Sequence, residues 1–102
     1  MSTVAGTWKI TISSLLGSVN GTLELRVDGD RVTATGRSDA GSLTFREGTL
    51  EGAQVRIPVE LSSPMEVRAT AVLTVDGDTM KGRIVGAPIP GVRVKGARIA
   101  RG

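Results

Sequence analysis

The residues best placed to do chemistry in this chain are acids: Val-Asp-Gly-Asp occurs twice, at Val27-Asp28-Gly29-Asp30 and at Val75-Asp76-Gly77-Asp78. Two carboxylates bracketing a glycine suit a metal loop, a catalytic pair or a tight turn. As a calcium loop each copy brings two carboxylates where six to eight oxygens are wanted, so the turn is the better reading and no metal site is expected. The rest of the chemical inventory is narrow. The 102 residues include no Cys, His or Tyr, which excludes Ser-His-Asp and Cys-His catalysis, the usual zinc sites, disulfides and thiol chemistry. Any polar chemistry falls to Asp, Glu, Arg, Lys, Ser, Thr, Asn, Gln or the backbone, and no cofactor is expected.

The elements that carry these residues read as strands. Val, Ile and Thr recur in short runs broken by Gly, Asp and Ser, and the 14 glycines suit many tight turns. With Asp28-Gly29 as a two-residue type I′ tip, Leu25 faces Val32 and Leu23 faces Ala34, while Glu24, Arg26, Arg31 and Thr33 take the other side. With Asp76-Gly77 as the tip, Leu73 faces Met80, Ala71 faces Gly82 and Ala69 faces Ile84. Both hairpins bury an apolar face. A third tip at Glu51-Gly52 sets Val55 against Gly48, but the simple register then places Phe45 opposite Pro58. One extra residue near Arg46-Glu47 restores Phe45 opposite Ile57 and Leu43 opposite Val59, so a β-bulge is predicted there, with Pro58 on the outer face.

This pattern predicts an all-β fold over residues 1–102, a single domain of about eight strands near 6–14, 19–27, 30–37, 42–50, 53–61, 65–75, 78–86 and 91–100. An up-and-down antiparallel meander of that size is best closed into a small barrel, with a two-sheet sandwich as the fallback. Closure puts the three tight tips and both termini at one end. The longer connections 13–20, 37–41, 61–65 and 86–91 form a mouth at the other. The chain lacks an apolar run long enough to cross a bilayer and a signal-like start, so a soluble, cytoplasmic protein is expected.

Gly6-Thr7-Trp8 at the start of the first strand is similar to the Gly-x-Trp opening of the calycin superfamily, the lipocalins and their relatives. In those proteins a basic residue on the last strand packs across the tryptophan at the closed end, and Arg98 stands where it would do so here. The succession of Gly-Thr-Trp, the two Val-Asp-Gly-Asp copies, Leu50-Glu51-Gly52 and the final Gly96-Ala97-Arg98 also resembles a small bacterial β-domain appended to some amidohydrolase-type enzymes. The calycin resemblance implies a barrel that binds small apolar molecules. The chain departs from typical lipocalins in its short length and in lacking cysteines and a C-terminal helix.

Such a ligand would meet the inward residues of the mouth half: Ile12, Leu16, Ala34, Gly36, Leu43, Phe45, Val59, Met65, Val67, Ala69, Ile84, Ile89 and Val92. The small positions Ala34, Gly36, Ala69, Ala71 and Gly82 leave a void unless Leu and Met neighbours fill it. Leu15-Leu16, Pro64-Met65 and Ala87-Pro88-Ile89-Pro90 place apolar residues around the rim, as a ligand entrance, a partner surface or an infolded lid would. Asp39 and Glu60 are the first candidates for acid/base work at that end, ahead of Arg37, Ser62, Ser63 and Glu66.

Lys81, Arg83, Arg93 and Lys95 on the last two strands, with Lys9 beside them on closure, make an outward basic stripe. A solvated outer face is the first reading of it, an acidic protein partner the second and nucleic acid a distant third, because both aromatics are assigned inward and none is left to stack on bases; no nucleic-acid or membrane partner is expected. The leading function is binding of a small hydrophobic molecule without covalent chemistry. The alternatives are a cyclase or isomerase that shapes a polyketide- or polyene-like substrate, and a non-catalytic accessory or assembly domain. A homo-oligomer follows if the barrel is left open at an edge.

Overall fold

The computed structural model describes residues 4–15, 17–38, 41–61, 67–86 and 91–101, with backbone alone for residues 41–43, 61, 67 and 101. Among these residues there are nine strands and no helix: β1 (Gly6–Ser14), β2 (Gly17–Asp28), β3 (Arg31–Ser38), β4 (Gly41–Phe45), β5 (Gly48–Glu51), β6 (Gln54–Leu61), β7 (Val67–Asp76), β8 (Thr79–Val85) and β9 (Arg93–Arg101). All ladders are antiparallel and join strands consecutive in the chain, except that β4 and β5 each pair with β3 and β6, and β9 pairs back onto β1. The sheet therefore closes as an eight-position meander barrel, in which β4 and β5 are two pieces of one position. The sandwich fallback is excluded by the β1–β9 ladder.

The hairpin tips differ from expectation in a consistent way. They fall at Gly29-Asp30, Gly52-Ala53 and Gly77-Asp78, one residue later than predicted, because Asp28 pairs with Arg31, Glu51 with Gln54 and Asp76 with Thr79. Each register is thus displaced by two. Leu25 faces Ala34, Leu50 faces Val55, Leu73 faces Gly82 and Val75 faces Met80. The reason is the turn itself. A type I′ turn needs positive φ at both central residues, whereas Gly29, Gly52 and Gly77 have φ of 64°, 63° and 61° and no described non-glycine residue has positive φ. Glycine first, followed by a residue with negative φ, is the type II′ pattern, which also matches the strand twist. A displacement of two leaves every side chain on its expected face.

Two bulges adjust the barrel. Arg46 and Glu47 together oppose Pro58, since Phe45 pairs with Val59 while β5 pairs Leu50 with Val55; Arg46 N donates to Pro58 O at 3.0 Å. The bulge lies where the pattern required it, in a register two residues from the expected one, so Leu43 opposes Leu61. Pro58 sits on the outer face between inward Ile57 and Val59. A second bulge, not foreseen, falls in the β1–β9 ladder: Thr7 pairs with Ala100 but Trp8 with Arg98. Ile99 is the extra residue and is 60% exposed.

Most inward residues of the tip half are buried, among them Trp8, Ile10, Leu23, Leu25, Val32, Val55, Ile57 and Leu73, while Val27 and Leu50 beside the tips are half-buried. Val4 and Val75, which the strand pattern overlooked, belong to the same core. The tips are also tied to the wall. The carbonyl of the second residue of each turn accepts a backbone N–H from the strand beside it: Leu50 N to Asp30 O at 2.8 Å, Val75 N to Ala53 O at 2.9 Å and Arg98 N to Asp78 O at 2.8 Å. Three corners of the closed end thereby satisfy a turn carbonyl that would otherwise need water.

Candidate binding site at the barrel mouth

At the fourth corner, where the start of β1 meets the end of β9, Trp8 and Arg98 replace the turn. The β1–β9 bulge sets them opposite each other, with the guanidinium carbon 4.5 Å from the indole centroid. Trp8 Nε1 donates to Val4 O at 3.1 Å, Arg98 Nη1 to Ala5 O at 2.9 Å and Arg98 Nη2 to Gly77 O at 3.1 Å. Arg98 Nε lies 3.1 Å from Asp78 Oδ1. The buried indole and the 8% exposed guanidinium side chain close this end to any ligand. The second aspartate of the second Val-Asp-Gly-Asp copy therefore orients an arginine in a structural plug. Asp28, Asp30 and Asp76 are exposed, and no group of three or more carboxylates among the described residues is arranged to hold a metal ion.

The opposite end differs in its packing. Ile10, next to the plug, is 3% exposed, whereas Ile12, one step further along the same strand, is only half-buried. The same change occurs from Val32 to Ala34 and Gly36, from Ala71 to Ala69, and from Met80 to Gly82 and Ile84. The interior is dense at the plug and loosens toward the mouth on β1, β3, β7 and β8. Phe45 fills part of that space. Its ring lies across Gly36, where an added Cβ would meet Cε2 at 2.6 Å, so the glycine admits the ring. Val59 and Val92 are buried, and Ile84 N donates to Val92 O at 3.0 Å, which draws the segment before β9 against β8. Leu43 and Val67 stand in register with Leu61 on β6. Leu16, Asp39, Met65 and Ile89 lie outside the described residues, as do Ser62, Ser63, Glu66 and Ala87–Pro90.

Glu60 faces away from the interior. It follows inward Val59 on β6, opposite Arg68, and Arg46 Nε approaches its Oε1 at 2.9 Å with Arg68 Nε at 3.9 Å. The structure thus leaves Glu60 at the mouth end but turns it away from the inward residues there. An open depression of about 380 Å³ at the rim is lined by Ser13, Ser14, Leu15, Gly91 and Arg93, and Leu15 is 88% exposed. Ser13, Ser14, Leu15 and Gly91 fall in the connections 13–20 and 86–91 expected at the mouth, with Leu15 the one apolar rim residue among them, and Arg93 was expected on the outward basic stripe. The others carry no hydrophobic signal, and the β1–β9 ladder alone brings residues 13–15 beside 91–93.

No known protein family matches the chain, and no curated protein sequence does so at a significant level. One solved structure is similar: a redesigned beta barrel, mFAP1, bound to DFHBI, with a TM-score of 0.64 over 98% of this chain and 95% of that one, at 14% identity. At that identity the likeness shows a shared barrel fold.

Proposed function

We propose that this protein is a calycin-like barrel that binds a small apolar molecule entering through the mouth, without covalent chemistry. The observation that carries the reading is the packing gradient. Residues such as Ile12, Ala34, Ala69 and Ile84 point inward yet remain partly exposed, while their neighbours nearer the plug are sealed. An apolar wall that water reaches is a site a ligand would desolvate at about 25 cal/mol per Å² covered. Further support comes from the Gly6-x-Trp8 opening stacked by Arg98, and from the ligand held by the similar redesigned barrel.

The binding reading is preferred to the cyclase or isomerase reading because Glu60 faces outward onto two arginines. A soluble, cytoplasmic setting fits the wall: Lys9, Arg26, Thr33, Arg56, Thr74, Lys81 and Lys95 are exposed while the apolar residues turn inward, the reverse of a transmembrane barrel. No described helix is long and apolar enough to span a membrane.

An apolar fluorescent probe and native mass spectrometry after exposure to a mixed small-molecule extract test the proposal. Saturable probe uptake, abolished by Ala69→Phe with Trp8 emission unchanged, is expected. Absence of uptake and of any retained mass in the wild-type protein overturns it.

A further inference from the structure

The charges of this chain are segregated along its length. Residues 1–23 and 79–102 hold seven Lys or Arg and no acid, while all ten acids and the remaining six cations lie in residues 24–78. Closure turns this into a spatial division, because β1, β8 and β9 are contiguous in the barrel. On their outer face Lys81 stands directly opposite Lys95, and Arg83 directly opposite Arg93. Arg56 is in line with Arg83 across Val72, and Lys9 sits opposite Ala97. Among the described residues none of these six cations forms an ion pair, whereas Arg26, Arg31 and Arg46 on the other wall, and Arg68 at the mouth end of β7, each lie beside a glutamate. Like charges directly opposite each other in a sheet are destabilising, so the arrangement costs the fold something and returns nothing to it.

We propose that the outer face of β8, β9 and β1 is a docking surface for an acidic segment of a partner protein. Two features favour protein over other polyanions. The cations are flanked on the same face by exposed apolar side chains, Val85 at 38% and Ile99 at 60%, which a phosphate backbone leaves uncovered. No aromatic stands on the face to stack on bases, since Trp8 is buried and Phe45 lies inside the barrel. A partner presenting carboxylates around one or two aliphatic side chains matches both the charge and the apolar ends, and the field of the five uncompensated cations on these strands, with Arg56 beyond them on β6, would accelerate its approach.

The test uses a fluorescein-labelled peptide alternating Glu and Leu, titrated with the whole protein at physiological salt and followed by anisotropy. Saturable binding is expected, weakened by about tenfold or more in Lys81→Glu/Arg93→Glu through charge repulsion. It should be retained in Arg26→Glu/Arg37→Glu, which changes the net charge equally on the other wall, and in Ala69→Phe, which blocks the interior. Trp8 emission reports folding in every variant. The proposal is overturned by absence of saturable binding, by equal loss in both charge-reversed variants, or by tighter binding to a single-stranded oligonucleotide or to phosphatidylserine vesicles than to the peptide.

Discussion

Arg98 concentrates more interactions than any other described side chain, and its worth follows from where it is held. Its guanidinium covers the indole of Trp8 and donates to the carbonyls of Ala5 and Gly77, tying the last strand to the N-terminal segment and to the third turn. Trp8→Ala should lower unfolding free energy by about 3–5 kcal/mol, as for other buried large aromatics, measured by urea denaturation. A loss below about 1 kcal/mol would show that the indole plugs nothing. Asp78→Asn should change stability by less than about 1 kcal/mol, because that carboxylate is mostly exposed and Arg98 keeps its carbonyl acceptors. Gly77→Ala at the neighbouring position should cost about 1–3 kcal/mol by forcing an L side chain into positive φ.

At the scale of elements, the strands satisfy two demands, and one of them is visible as a conflict. Lys81 and Lys95 face each other across the β8–β9 ladder, as do Arg83 and Arg93. Lys81→Glu should therefore raise stability by about 0.2–1 kcal/mol by converting a repulsive cross-strand pair into an attractive one, read as a higher urea midpoint with unchanged slope. A fall in the midpoint would mean that the lysine stem, packed along the wall, outweighs its charge. The β7–β8 ladder shows the opposite case, a close approach that nothing but glycine allows. A Cβ on Gly82 would lie 2.0 Å from Val72 O and 2.9 Å from Leu73 Cα, both backbone atoms, so the two strands come closer there than a side chain permits.

The whole molecule is a ring whose ends meet. Gly6 pairs with Arg101, and the β1–β9 ladder is the one closure that no turn enforces. A circular permutant that joins residues 102 and 1 by a short glycine linker and opens the chain between residues 63 and 64 should keep the Trp8 emission maximum and a single cooperative unfolding transition. Red-shifted emission or aggregation would show that the ladder depends on the natural order of synthesis or on free ends. Ligand binding belongs to this scale as well. A molecule held by the folded barrel alone stabilises it by about 2.7 kcal/mol at a hundredfold excess over its Kd, so a rise in Tm identifies it without any assumption about which residues it touches.

Period-two alternation specified which side chains face inward, the number of barrel positions and the need for a bulge at Arg46-Glu47, because each follows from local pattern and parity. The same alternation is blind to displacement by two residues, since both registers bury identical faces. That choice was left to the turns, where glycine alone takes positive φ and so sits first in each tip. Parity also could not reveal Val4, which enters the core from outside any strand to accept the indole N–H, or the bulge at Ile99 that aligns Trp8 with Arg98. Parity does turn Glu60 outward beside inward Val59, but its partners Arg46 and Arg68, which take up its chemistry by ion pairing, were set by the cross-strand pairing. The two Val-Asp-Gly-Asp copies were legible as turns from residue types alone. That Asp78 holds an arginine against the only tryptophan was decided by the closing of the barrel, which brings residue 98 to residue 8 and residue 78 to both.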